Sequence, residues 1–80
     1  MSEFIATFHT HLSAMLSFQA LQNTGCTAKM QPVPRALSSS CGTCVRFVAE
    51  SDCRALLDTD AEALYAVEDG VYRLLWQNED

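Results

Sequence analysis

Glu50-Ser51-Asp52-Cys53-Arg54-Ala55-Leu56-Leu57-Asp58-Thr59-Asp60-Ala61-Glu62-Ala63-Leu64 is the stretch on which the fold turns. Ser51 can cap a helix here, because its hydroxyl can accept a backbone N–H of the first turn. The neighbouring acids suit the positive end of the helix dipole. Cys53, Leu56, Leu57, Ala61 and Leu64 then supply the buried face of a second helix. On that reading the chain runs β-α-β-β-α-β. This is the ferredoxin-like α+β sandwich, an antiparallel sheet carrying two helices on one face. The opposite face of such a sheet would lie open.

Upstream, Thr43–Ala49 reads as a strand, with Val45 and Phe47 on one side and Cys44, Arg46 and Val48 on the other. Cys26–Gln31 is an earlier strand of the same kind, setting Ala28 and Met30 against Thr27 and Lys29. Before it, Leu12–Asn23 has Ala14, Phe18 and Leu21 at i, i+4 and i+7 with Met15 and Leu16 beside them, which predicts one apolar helical face. Ser13, Ser17, Gln19 and Gln22 fall mostly off that face. Thr10 is placed to cap the helix and Gly25 to end it. Glu3–Phe8 is rich in β-formers and free of breakers, as expected of a central strand. Downstream, Asp69-Gly70 marks a turn leading into a strand at Val71–Trp76, with residues 76–80 as a loose polar tail. The whole of 1–80 makes one domain.

The chain has 80 residues, 49% of them hydrophobic, enough for a small core. Its formal charge of −5, from ten acids and five bases, opposes a phosphate-binding surface and docking on anionic membranes. No nucleic-acid or membrane partner is therefore expected. No apolar run is long enough to span a bilayer, and Glu3 stands where an export signal would be basic. The expected location is the cytoplasm, where the four cysteines stay reduced.

Chemistry concentrates between Pro32 and Phe47. Pro32 and Pro34 fix an extended entry, Ser38-Ser39-Ser40 and Gly42 form a loop, and the loop delivers Cys41 just before the strand. Hydroxyls, backbone N–H groups, Arg35 and Arg46 lie within a few residues of this sulfur, and cations and donors favour a thiolate. Cys44 makes a C-x-x-C with Cys41, but residues an odd number apart in a strand point to opposite faces. A core-facing Cys44 is the simpler reading, with thiol–disulfide exchange through Cys41 and Cys44 as the chemical one.

The segment Pro32-Val33-Pro34-Arg35 through Ser40-Cys41-Gly42, with Thr7-Phe8 and Tyr72-Arg73-Leu74 closing the pattern, resembles a small bacterial family long described as a domain of unknown function. That family is known as selenium/sulfur carrier protein-like. The resemblance covers nearly the whole chain and matches Pro32, Pro34, Arg35, Ser40, Cys41 and Gly42. It implies a carrier or accessory protein, not a stand-alone enzyme, that holds a chalcogen atom on Cys41 as a persulfide or perselenide. It further implies a sulfur or selenium donor protein and an acceptor of unknown identity. Cys44 departs from the family pattern, where an aliphatic residue is expected.

Arg35, Ser40, Gly42 and Arg46 are thus the candidate binding residues around Cys41, with Cys44 as a second thiol. Gly42 has no Cβ to obstruct an approaching sulfur. His9 and His11 could act as acid or base if the loop folds over their end of the sheet, or simply sit at a solvated helix start. Cys26 and Cys53 read as buried. One C-x-x-C does not make a four-cysteine zinc site, so no metal or cofactor is expected. The rival from another class is a non-catalytic interaction or homo-oligomerisation module using the open sheet face.

Overall fold

The computed structural model describes residues 1–79. Strand β1 (Ser2–Phe8) leads to helix α1 (His11–Asn23), then to β2 (Thr27–Pro32), β3 (Thr43–Ala49), β4 (Ala61–Glu68) and β5 (Val71–Gln77). The five strands form one sheet in the order β2-β3-β1-β4-β5. Every neighbouring pair is antiparallel. β1 sits in the middle, as its unbroken apolar sequence predicts. Phe4, Ala6 and Phe8 face the core on the helix side, while Ile5 and Thr7 are buried on the other.

The fold is α+β with one helix, so the ferredoxin-like arrangement with two helices on a face is corrected. Residues expected to form the second helix make a single 3-10 turn at Arg54–Leu56 and then enter β4. Asp58 diverts the chain, because its carbonyl accepts Ala61 N at 3.0 Å and its carboxylate accepts Asp60 N at 3.3 Å. Such local bonds compete with helix formation. Tertiary pairing then overrides the helix propensity of Ala61-Glu62-Ala63-Leu64. β4 satisfies the backbone groups on the second edge of buried β1, which a helix could not do.

Helix α1 begins as expected, with Thr10 Oγ1 accepting Ser13 N at 3.1 Å, and Gly25 follows it at φ +88°. Ala14, Phe18 and Leu21 face the core as their spacing predicts, but the flanks of that face are exchanged. Ser13, Ala14, Ser17 and Leu21 are buried, while Leu12, Met15 and Leu16 are 63%, 39% and 45% exposed. Ser17 turns inward because its hydroxyl accepts Asp58 N at 2.8 Å, tying the β3–β4 connection to the helix. Ser17→Ala would strand that N–H. It is expected to cost about 1–3 kcal/mol, read as a lower urea midpoint at an unchanged slope.

Asp69 and Gly70 both adopt positive φ, 52° and 78°, as a two-residue hairpin of the mirror-image type requires. β5 then continues through Gln77, and Asn78 N donates to Glu62 O at 2.8 Å. The expected loose tail is therefore held as far as Asn78, and Asp80 lies outside the described residues. Among these residues no helix is long and apolar enough to cross a membrane.

Candidate functional site

The β2–β3 connection bends over one end of the sheet. Its base is closed where Val33 N donates to Gly42 O at 3.1 Å, just beyond the last strand pair, Pro32 with Thr43. A turn from Pro34 to Leu37 follows, with Leu37 N on Pro34 O at 3.0 Å. Arg35 is exposed at its tip and makes no ion pair among the described residues.

The returning limb is fastened to the central strand and to the strand beyond it. Ser39 Oγ donates to Phe8 O at the end of β1, at 2.8 Å. Ser40 uses its N–H on Glu62 Oε1 at 3.0 Å and its hydroxyl on Glu62 Oε2 at 2.9 Å, reaching β4. His9 Nδ1 stands 3.3 Å from the same Glu62 oxygen and 3.5 Å from Ser40 Oγ. Since Ser40 donates to Glu62, the network is consistent with Nδ1 carrying a proton toward the carboxylate. His11, by contrast, only opens α1 and is exposed.

Burial tends to raise the Glu62 pKa, but the Ser40 N–H, the Ser40 hydroxyl and His9 outweigh it. The carboxyl is held below its ordinary value. Glu62 does not stand out in the sequence, because a helix reading of its segment hides it. The available signal is the alternation of Ala61, Glu62 and Ala63, which suits a strand.

Cys41 is half-buried and packs against the edge of the core. Its thiol donates to Thr43 O at 3.5 Å and lies 3.9 Å from Ser39 Oγ. Ser39 has one proton, which goes to Phe8 O, and the thiol's one proton goes to Thr43 O, so the 3.9 Å approach of the two is a contact without a proton between them. Both serines thus shape the loop, and Ser40 is committed to Glu62. Gly42 is demanded by backbone geometry, φ +73°, and a Cβ there would meet nothing within 4 Å.

Two sequence-based candidates lie apart from this cluster. Arg46 projects to the sheet face away from α1 and binds Glu3 at 2.8 Å, so it is not part of the setting of Cys41. Cys44 is fully buried on that same face and donates to Pro32 O at 3.7 Å. Burial pushes its thiol up, against the opposing pull of Arg46 and Gln31, and a negative charge at Cys41 would push it further. Of the two thiols, Cys41 is the reachable one. No three His, Cys, Asp or Glu side chains converge as for a metal ion among the described residues.

A family model described as "Putative Se/S carrier protein-like" matches residues 3–70. The chain is also 29% identical over 77 residues to the uncharacterized protein YtiA of Escherichia coli (strain K12), spanning 94% of this chain and 91% of YtiA. No solved structure matches it.

Proposed function

This chain belongs to the Se/S carrier protein-like family, and from that premise we propose that it carries a sulfur or selenium atom on Cys41 between a donor and an acceptor. In the loading step the Cys41 thiolate attacks the outer sulfur of a donor persulfide, R–S–SH. The donor S–S bond breaks, R–S⁻ leaves, and Cys41–S–SH remains. An acceptor nucleophile then attacks that outer sulfur and releases Cys41 as thiolate. The selenium version differs only in the atom moved.

The observation carrying this reading is the double fastening around the sulfur, Ser39 to Phe8 O and Ser40 to Glu62, with open space at Gly42. A transfer site needs its atom presented in a fixed place without burial of the path to it. Loss of the Cys41 proton ends its bond to Thr43 O, while Ser39 keeps its proton on Phe8 O and the loop stays fastened. His9 and Glu62 are linked to the loop through Ser40, which adjoins Cys41 in the chain. Arg35, exposed at the loop tip, is placed to meet an anionic surface of a donor.

Intact-mass measurement after treatment with a small-molecule persulfide donor tests the proposal. The unmodified protein should gain the mass of one sulfur atom, removable by a thiol acceptor and mapped by peptide mass to Cys41, and Cys41→Ala should lose that adduct. Adducts confined to the other cysteines, or none at all, overturn it.

A second reading, self-association across the face away from α1, draws on Leu74, 50% exposed beside Tyr65 in the register of β4 and β5. Sedimentation equilibrium separates the two: a dimer dispersed by Leu74→Glu with sulfur uptake unchanged would favour it.

A further inference from the structure

Cys26 and Cys53, expected from sequence to be buried, instead come together at the end of the sheet opposite Cys41. Cys26 immediately precedes Thr27, the first residue of β2, whereas the Cys41 loop adjoins the last pair of the same hairpin, Pro32 with Thr43. Both sulfurs line one surface groove with Gly25, Val48, Ala49 and Leu56. Both are only half-buried. Thr24 Oγ1 lies 3.4 Å from Cys26 Sγ, and Ser51 Oγ lies 3.9 Å from Cys53 Sγ, whose thiol donates to Ser51 O at 3.5 Å.

The backbone at Cys53 is itself unusual. Its φ of +53° is left-handed, a conformation costly for any residue with a Cβ, and it brings the thiol into the groove at the start of the 3-10 turn. We propose that Cys26 and Cys53 form a reversible dithiol site, oxidised by exchange with low-molecular-weight disulfides of the glutathione class. The two sulfurs sense one another directly: burial raises the Cys53 pKa most, Ser51 opposes it, and the Cys26 thiol and the Asp52 charge raise it further.

The exchange has two steps. One protein thiolate attacks the glutathione disulfide, forming a mixed disulfide and releasing one glutathione thiolate. The second protein thiol loses its proton and attacks the bonded protein sulfur, releasing the second glutathione thiolate. Two electrons pass from the dithiol to the glutathione disulfide, and two protons leave the protein thiols. Because the Cys53 thiol is pushed above 9.0, ring closure through it accelerates as pH rises toward that region. The disulfide would join the end of α1 to the β3–β4 connection.

Cys41→Ser protein, which retains Cys26, Cys44 and Cys53, is equilibrated in glutathione buffers and mapped by peptide mass after blocking free thiols. The expected result is loss of two thiols together, a Cys26–Cys53 cross-linked peptide, and a higher Tm for the oxidised form. Cys53→Ser should instead stop at a glutathione adduct on Cys26. A cross-link to Cys44, or glutathione adducts on Cys26 and Cys53 that never close, overturns the proposal. The outcome is independent of sulfur loading, since Cys41 is absent throughout.

Discussion

Phe47→Ala is expected to remove a large part of the protein's folding stability. Phe47 lies at the centre of the helix-side core with no exposed surface. Its ring stacks on Phe4 across the β1–β3 pair, with centroids 5.3 Å apart and planes at 28°. Truncating a buried Phe to Ala costs about 3–5 kcal/mol, the cavity left behind included. The aromatic pair is worth a further ~0.5–1.5 kcal/mol beyond area, already inside that measured range. A domain of 80 residues holds only about 4–12 kcal/mol in all. The loss therefore consumes a large part of the margin, and urea unfolding should show a collapsed midpoint. Leu12→Ala on the exposed flank of α1 is the matched control and should move stability by no more than about 0.5 kcal/mol. Comparable losses from the two variants would mean that α1 is turned the other way.

That contrast also shows where sequence reasoning succeeds and where it cannot. Elements fixed by local chemistry are legible: the Thr10 cap, the Gly25 stop, the central β1, the Val45/Phe47 against Cys44/Arg46 alternation, and the Asp69-Gly70 turn. The stretch after Ser51 is not, because its composition favours a helix and its strand state depends on a distant partner. β4 exists to complete β1, some sixty residues earlier in the chain. In α1 the Ala14/Phe18/Leu21 face is legible and its buried flank is not, since only the contact to Asp58 N explains why Ser17 rather than Leu16 turns inward.

The site divides along the same line. Cys41, Ser40 and Gly42 share one loop, and the proline-led, serine-rich approach marks it in the sequence. Arg46 looks close because it is five residues away, but strand alternation sends it to the other face, where Glu3 takes it. Glu62 and His9, distant in sequence, are the groups that actually meet the loop. Proximity along the chain is a poor guide to charge around the sulfur, and sheet topology is the missing information.

Glu62→Gln is accordingly expected to free the Cys41 loop without unfolding the protein. The carboxylate takes two donors from Ser40, at 3.0 and 2.9 Å. Gln offers one carbonyl oxygen for those two donors and turns an NH₂ toward the other. Hydrogen bonds to a charged group contribute about 1.5–3 kcal/mol, so losing one raises loop opening roughly tenfold to a hundredfold. The Ser40 amide should exchange with solvent faster by that factor, and Cys41, half-buried when the loop is closed, should alkylate faster. Acid should also open the loop of the unmodified protein, read as its Ser40 exchange rate relative to that of Glu62→Gln at the same pH. Because the folded-state pKa of Glu62 lies below its ordinary 4.5, the stabilisation is complete above 4.5 and is lost as pH falls through the lower folded value. Loop opening in the unmodified protein should therefore rise over that acid window, while Glu62→Gln, with nothing to protonate there, should already be open and stay level. Equal Ser40 exchange in the two proteins at neutral pH would show that Glu62 does not hold the loop, and the fixed presentation of Cys41 would lose its physical basis.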